Sequence, residues 1–310
     1  MIARRDWMRQ LAVGAATVTA GAGRAAVPES PTDGLVDAHV HIWPPDTAAY
    51  PLATGFTRLD MQPPSFTADE LLATCRPLGV SRVVLIQMSF YGFDNRYMLD
   101  TMARHPDVFG GVAIVDHAAP GVVARMRALA ARGVRGFRLY ASRDKAAAWE
   151  QDAGIRAMWT CGADDGLAMC LLADPDALQL IERMCGLFPK TPVVIDHFAR
   201  IGMRGAIDQG DLDRLAGLAR FPQVHVKTSA FYALGKKKPP YDDLGAMVRT
   251  LRDAYGAERL LWATDCPYQA APDHGYAASL ALVRERLDFL TPDDRRNMLR
   301  NTATRLFFAT

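Results

Sequence analysis

The 310-residue sequence lacks a disulfide framework. Its five cysteines (Cys75, Cys161, Cys170, Cys185 and Cys266) are odd in number, scattered, and never spaced as CxxC. They read as free thiols of a chain that folds in a reducing compartment. Charge of one sign is lacking too: 36 Lys and Arg against 34 Asp and Glu leave a formal charge of +2. That excludes the broad basic footprint of a nucleic-acid-binding domain. With 50% hydrophobic residues, the chain is also too apolar for a disordered one. No run of about 18 apolar residues occurs, so no membrane-spanning helix is expected.

The amino terminus is expected to be a targeting segment rather than fold. Arg4 and Arg5 precede a weakly apolar stretch, Leu11 to Ala22, and Ala20 and Ala22 form an A-x-A-like cleavage site. Residues 1–22 thus resemble a twin-arginine signal peptide, which exports folded proteins. Residues 23–34 read as a linker and 35–310 as the folded unit. Export to the periplasm is the expectation, with a cytoplasmic location as the alternative. Cleavage after Ala22 would remove Arg4, Arg5, Arg9 and Asp6 and bring the formal charge from +2 to zero.

From Leu35 onward one pattern repeats: a short apolar run, a polar or Gly/Pro loop, then an amphipathic segment. The runs are Leu35–His41, Arg82–Gln87, Val108–Val115, Val134–Leu139, Leu167–Leu172, Val193–His197, Val224–Thr228 and Leu260–Asp265. Near-continuous apolar runs of this length suit parallel strands buried on both faces. Thr67-Ala-Asp-Glu70 reads as a capping box and Pro175 as the first residue of a helix. Eight such units predict a single-domain (β/α)8 TIM barrel, a fold of about 250 residues. A doubly wound sheet would place a glycine-rich phosphate loop after its first strand. Asp37-Ala-His39-Val-His41-Ile-Trp43 stands there instead.

In a barrel, catalytic groups come from the carboxyl ends of the strands. There the sequence keeps His39 and His41, then His197, then Asp265. Three imidazoles and a carboxylate in one barrel mouth could bind a divalent metal such as zinc or manganese. The same four residues could equally hold substrate by hydrogen bonds, so catalysis without metal stands as the alternative. Asp265 is the candidate base for a water molecule, on the expectation that burial raises its pKa. The bland reading is an Asp capping the next helix. Arg138 and Lys227 are candidates to pair a substrate carboxylate, with an internal ion pair as the alternative, and Arg143 is a further candidate. Ser89 and Tyr91 are candidate hydrogen-bonding partners. Lys236–Lys238 reads as a solvated turn that could draw in anions, and the Pro-rich connection 43–66 as a wall or lid.

Asp37–His41, Ile195–His197, Trp262–Pro267 and Asn301-Thr-Ala-Thr-Arg-Leu-Phe307, in that order, resemble the amidohydrolase-related branch of the amidohydrolase superfamily. Gln87–Asn95, Gly133–Arg138, Val194–His197 and Pro239–Asp243 are similar to the 2-pyrone-4,6-dicarboxylate lactonase group. The resemblance implies that Asp265 activates water while His39, His41, His197 and Arg138 hold a lactone and its carboxylates. It also implies a group that works without metal. Two departures stand out: Cys266-Pro267-Tyr268 replaces Trp-Pro-His, and no arginine matches the one after strand seven. A histidine often found at strand five of metal-dependent members is also missing, where Met169–Ala173 stands. The function expected is a hydrolase that opens a lactone, with a small anionic molecule as substrate. The alternatives are a metal-dependent decarboxylase and a non-catalytic exported binder.

Overall fold

The computed structural model describes residues 34–308. The expected signal segment, and the linker up to residue 33, lie outside the described residues. Eight parallel strands pair in sequence order: β1 (Leu35–Val40), β2 (Val80–Ile86), β3 (Phe109–Ala113), β4 (Val134–Ala141), β5 (Ala168–Ala173), β6 (Val193–Ile195), β7 (Val224–Thr228) and β8 (Leu260–Trp262). A parallel bridge between Val40 and Cys266 brings β1 against the chain following β8 and closes the ring. Two backbone bonds complete that seam, from Asp265 N to His39 O (2.9 Å) and from His41 N to Cys266 O (2.8 Å). The architecture is the expected (β/α)8 barrel.

Among the described residues, one main helix follows each strand on the outside: α1 (Ala68–Cys75), α2 (Arg96–Arg104), α3 (Val122–Ala130), α4 (Ala153–Asp165), α5 (Leu178–Leu187), α6 (Gln209–Gly217), α7 (Gly245–Tyr255) and α8 (Tyr276–Ala281). The capping box forms as read, with the Thr67 side chain accepting from Glu70 N and the Glu70 carboxylate accepting from Thr67 N. Such a pair satisfies two backbone donors that the first turn would leave orphaned. Pro175 opens a short turn that runs into α5. Among the described residues no helix is long and apolar enough to cross a membrane.

Alternation along the strands splits the core in two. Val193, Ile195, Val224, Val226, Leu260 and Trp262 pack outward into the large cluster beneath the helices. Val194, Cys170, Val84, Val112, Leu261 and Ala263 form a separate cluster inside the barrel, closed by Ala303 and Phe307 of the last helix, Thr302–Phe307. That explains the carboxy-terminal Asn301–Phe307 motif: it plugs the amino-terminal end of the barrel. The polar residues therefore collect at the other end.

Candidate active site

The strand ends place four side chains on one point. Asp265 Oδ1 lies 3.1 Å from His41 Nε2, 3.4 Å from His39 Nε2 and 3.9 Å from His197 Nε2. The two histidines of β1 meet Nε2 to Nε2 at 3.2 Å. The local backbone is unusual here. A register shift between Asp37 and Val40 breaks the alternation of β1. His197 through Arg200 all have positive φ, between 52° and 61°, and Asp265 has φ 69°. Non-glycine residues in the left-handed region cost about 1–3 kcal/mol each and persist where surrounding contacts hold them. This explains why β6 and β8 end earlier than the apolar runs suggested: the catalytic-end residues leave strand geometry to face inward.

Each of the four is held from behind. His41 Nδ1 donates to the Ile86 carbonyl (2.8 Å), His197 Nδ1 meets Ser229 Oγ (2.8 Å), and the Tyr232 hydroxyl donates to Asp265 Oδ2 (2.7 Å). Behind His39 stands a fully buried ion pair, Lys227 Nζ to Asp196 Oδ1 at 3.0 Å, with Lys227 also 3.1 Å from His39 Nδ1. An ammonium only donates. A neutral His39 with Lys227 donating to Nδ1 therefore carries its own proton on Nε2, toward Asp265. Asp37, two residues earlier on β1, accepts from Thr264 N (2.9 Å) and from the Tyr276 hydroxyl (2.8 Å), fastening β1 to the end of β8.

The electrostatics correct one expectation. Burial pushes the Asp265 carboxyl up, but the charges of His197, His41 and His39 and the His41 hydrogen bond outweigh it, and the net shift is downward. Burial lowers His197 to about 4 and, with the Lys227 charge, holds His39 well below its ordinary value. The carboxylate is thus ionised at neutral pH beside two neutral imidazoles. Asp37 is pushed up to about 6 by burial.

These shifts set a stability profile. The imidazoles of His39, His197 and also His225, which burial lowers to about 4, bind protons less readily when folded than the ordinary value of 6.5 implies. Their stabilisation is full above pH 6.5 and lost as pH falls toward about 4. Asp37, raised from 3.8 to about 6, opposes this as a single group. The melting temperature is expected to drop between pH 6.5 and 4.5; a rise on acidification contradicts the assignment.

His41, His197 and Asp265 open onto a cavity of about 640 Å³, also lined by Arg138, Ser89, Lys145, Arg200, His117 and Tyr268, while His39 is fully buried behind them. Arg138 Nη1 lies 3.5 Å from His41 Nε2, and among the described residues no ion pair engages it. Arg138 and Ser89 are therefore where they were expected. Several others are not. Lys227 is fully buried behind His39, paired to Asp196, and does not line the cavity. Tyr91 turns its ring onto Phe90 (4.8 Å) and its hydroxyl is buried away from the lining. Arg143 is exposed in a short turn, Arg143–Ala146, outside the lining. Lys236–Lys238 is exposed and likewise outside it, and the connection 43–66 packs through Ala53 N to Phe90 O instead of covering the mouth. Burial holds the Cys266 thiol well above its ordinary value, which keeps it in the protonated form. Reasoning on sequence missed Asp196, Tyr232 and Ser229 in the network and Lys145 and Arg200 in the wall. Asp196 directly precedes His197, and that adjacency was the available signal.

Metal binding can be tested on the donors. His39, His41 and Asp265 place ligand atoms within 4.8 Å of one another, as do His39, Asp196 and His197. His41 Nδ1 faces a carbonyl, which only accepts, so Nδ1 carries hydrogen. The remaining lone pair on Nε2 then points at a carboxylate oxygen 3.1 Å away, an arrangement that calls for a proton or a cation between them. Nitrogen and oxygen donors of this kind fit a divalent ion.

An eight-stranded barrel with an imidazole–carboxylate centre at the carboxyl ends of its strands has the layout of a barrel enzyme. The comparisons agree. The family model described as Amidohydrolase (Amidohydro_2) matches residues 36–309, and the chain belongs to that family. It is 29% identical over 283 residues to the 4-sulfomuconolactone hydrolase of Hydrogenophaga intermedia, covering 88% of each chain. It is 28% identical to the L-fucono-1,5-lactonase of Burkholderia ambifaria, covering 88% of this chain and 94% of the relative. A solved structure from Pseudomonas putida, named as a candidate 2-pyrone-4,6-dicarboxylic acid hydrolase, superposes with a TM-score of 0.73 at 26% identity. That match covers 89% of this chain and 97% of the other. The protein is a hydrolase of the amidohydrolase family.

Proposed function

We propose that the protein opens a lactone bearing an anionic group, adding water across the ring ester. The observation that carries this reading is Arg138, a guanidinium outside any ion pair among the described residues, 3.5 Å from the imidazole that touches Asp265. The relatives named as lactone hydrolases support it. Arg138 pairs the substrate's anion and sets the ring carbonyl over the cluster. Asp265, ionised and fixed by Tyr232, accepts a hydrogen bond from water and aims its oxygen at the carbonyl carbon. Because the carboxylate is held low, the proton goes to the carboxylate–imidazole group as a unit, with neutral His197 and His39 adjoining. The C–O ring bond then breaks, the ring oxygen takes up a proton, and a new carboxylate remains. His197, whose Nε2 carries a proton when Nδ1 accepts from the Ser229 hydroxyl, donates to the carbonyl oxygen as it gains charge.

A zinc or manganese ion, if bound, would be held by His41, His197 and Asp265, joined by His39 once its Nε2 gives up a proton, and would polarise the carbonyl as a Lewis acid. Export through the twin-arginine route belongs to the same proposal, supported by five buried free thiols that tolerate cytoplasmic folding. The decarboxylase reading draws no support from β5, where Met169, Cys170 and Leu171 are apolar and buried.

The test is hydrolysis of carboxylated lactones followed by proton release, with Arg138→Met alongside. A charge-assisted contact contributes about 1.5–3 kcal/mol, so KM is expected to rise on the order of 10- to 100-fold with kcat much less affected. A neutral lactone is expected to lose little. Equal loss on charged and neutral lactones contradicts the role of Arg138.

A further inference from the structure

Resting on the lactonase reading, we propose that the substrate carries a single anionic group beside the reacting carbonyl and a bulky apolar substituent, rather than two anions. Among the described residues, Arg138 is the basic side chain of the wall for which neither an ion pair nor a ring contact is seen. Arg138 lies next to the cluster, whereas the other basic side chains in the wall are engaged within the chain. Arg200 pairs with Asp174 at 3.1 Å, His117 lies 3.6 Å from Asp152, and Lys145 stands 4.6 Å over the Tyr140 ring. Asp152 itself lines the cavity, so a second anion at that side meets a carboxylate.

The remaining wall is apolar. Val115, Trp149, Leu172, Met203 and Leu234 line it, and Phe93 stands at its rim with 53% of its surface exposed. Exposed large aromatic surface at the mouth of a catalytic cavity marks a place for an apolar occupant. The volume, about 640 Å³, falls in the range of about 300–1,000 Å³ that suits drug-sized ligands. A small ring with two acid groups would leave most of this wall facing water. An alkyl or aryl arm extending from the ring toward Phe93 would cover it.

The experiment is calorimetric titration of the intact protein with inert acids: butanoate, hexanoate and octanoate against adipate and suberate. Affinity is expected to rise about 3- to 4-fold per added methylene along the monoacid series. Suberate is expected to bind at least about 10-fold more weakly than octanoate, since its second carboxylate loses water on the apolar wall. Phe93→Ser, at a half-exposed position that tolerates a polar side chain, is expected to weaken octanoate but not butanoate. Arg138→Met is expected to erase the preference for octanoate over octanamide. Affinity that is flat with chain length, suberate binding as tightly as octanoate, or no octanoate binding at millimolar concentration would overturn the proposal. The titration needs no turnover. A protein that follows the series yet opens no lactone retains this inference and loses the lactonase reading.

Discussion

Replacing Asp265 with asparagine lowers turnover on the order of 10³-fold, within the range for removing a positioned acid–base group, while the protein stays folded. Asparagine keeps the shape of the side chain, and its carbonyl can still accept from the Tyr232 hydroxyl that now meets Oδ2 at 2.7 Å. What is lost is charge and an acceptor. The oxygen now facing His39, His41 and His197 at 3.1–3.9 Å becomes an amide that orients water poorly and takes no proton. Stability changes little because two effects offset. A buried negative charge is removed, which relieves its desolvation, and the attraction of the imidazoles is removed with it. Steady-state rates and melting curves on the same preparation check both halves. Full activity in Asp265→Asn would discard the mechanism.

The largest stability effect is expected at Lys227. Its ammonium and the Asp196 carboxylate are both fully buried and 3.0 Å apart. Burial pushes Asp196 up, yet the charges of Lys227 and His39 hold it well below the ordinary carboxylate value. Neither Asp196 oxygen has a well-angled hydrogen bond, so the compensation is charge. Lys227→Met leaves that carboxylate buried and unpaired, a change that costs about 3–5 kcal/mol. The double variant Lys227→Met with Asp196→Asn restores most of the loss, because replacing both partners of a buried pair is often near neutral. The comparison is made by denaturant unfolding of the single and double variants. A single variant as stable as the parent would show that the pair carries no such role. Loss of Lys227 also frees the His39 tautomer, so the double variant is expected to recover stability without recovering rate.

Much of this was legible in the residues, for identifiable reasons. Apolar runs at regular intervals give strands in any environment, and all eight stand where Leu35 to Asp265 placed them. Histidine and aspartate at the ends of such runs have few structural reasons to be there, so His39, His41, His197 and Asp265 could be picked out. The ends themselves were misjudged at β6 and β8, because the left-handed backbone at His197–Arg200 and Asp265 leaves no mark on hydrophobic pattern. Lys227 shows a deeper limit. The sequence Val224-His-Val-Lys-Thr228 gives its parity on the strand, and inward is correct, but an inward lysine can reach up to substrate or stop below at a partner. Asp196, distant by thirty-one positions in sequence, decides the matter, and only the closed barrel brings the two together. The Asp265 shift failed similarly: burial was foreseen, but the sum over three imidazoles depends on distances of 3.1–3.9 Å that spacing cannot supply. Arg143 and Tyr91 were read as inward from proximity to strand ends, and each turns away within one turn of chain.

The central claim is that water attacks a ring carbonyl at Asp265 and the ester bond opens. Reaction of a carboxylated lactone in ¹⁸O-labelled water, followed by mass spectrometry of the product, addresses it directly. The account predicts one labelled oxygen in the new carboxylate per ring opened, no label in the released hydroxyl, no carbon dioxide, and near-complete loss of incorporation in Asp265→Asn. Carbon dioxide release without incorporation, or unchanged labelling in the variant, would contradict it.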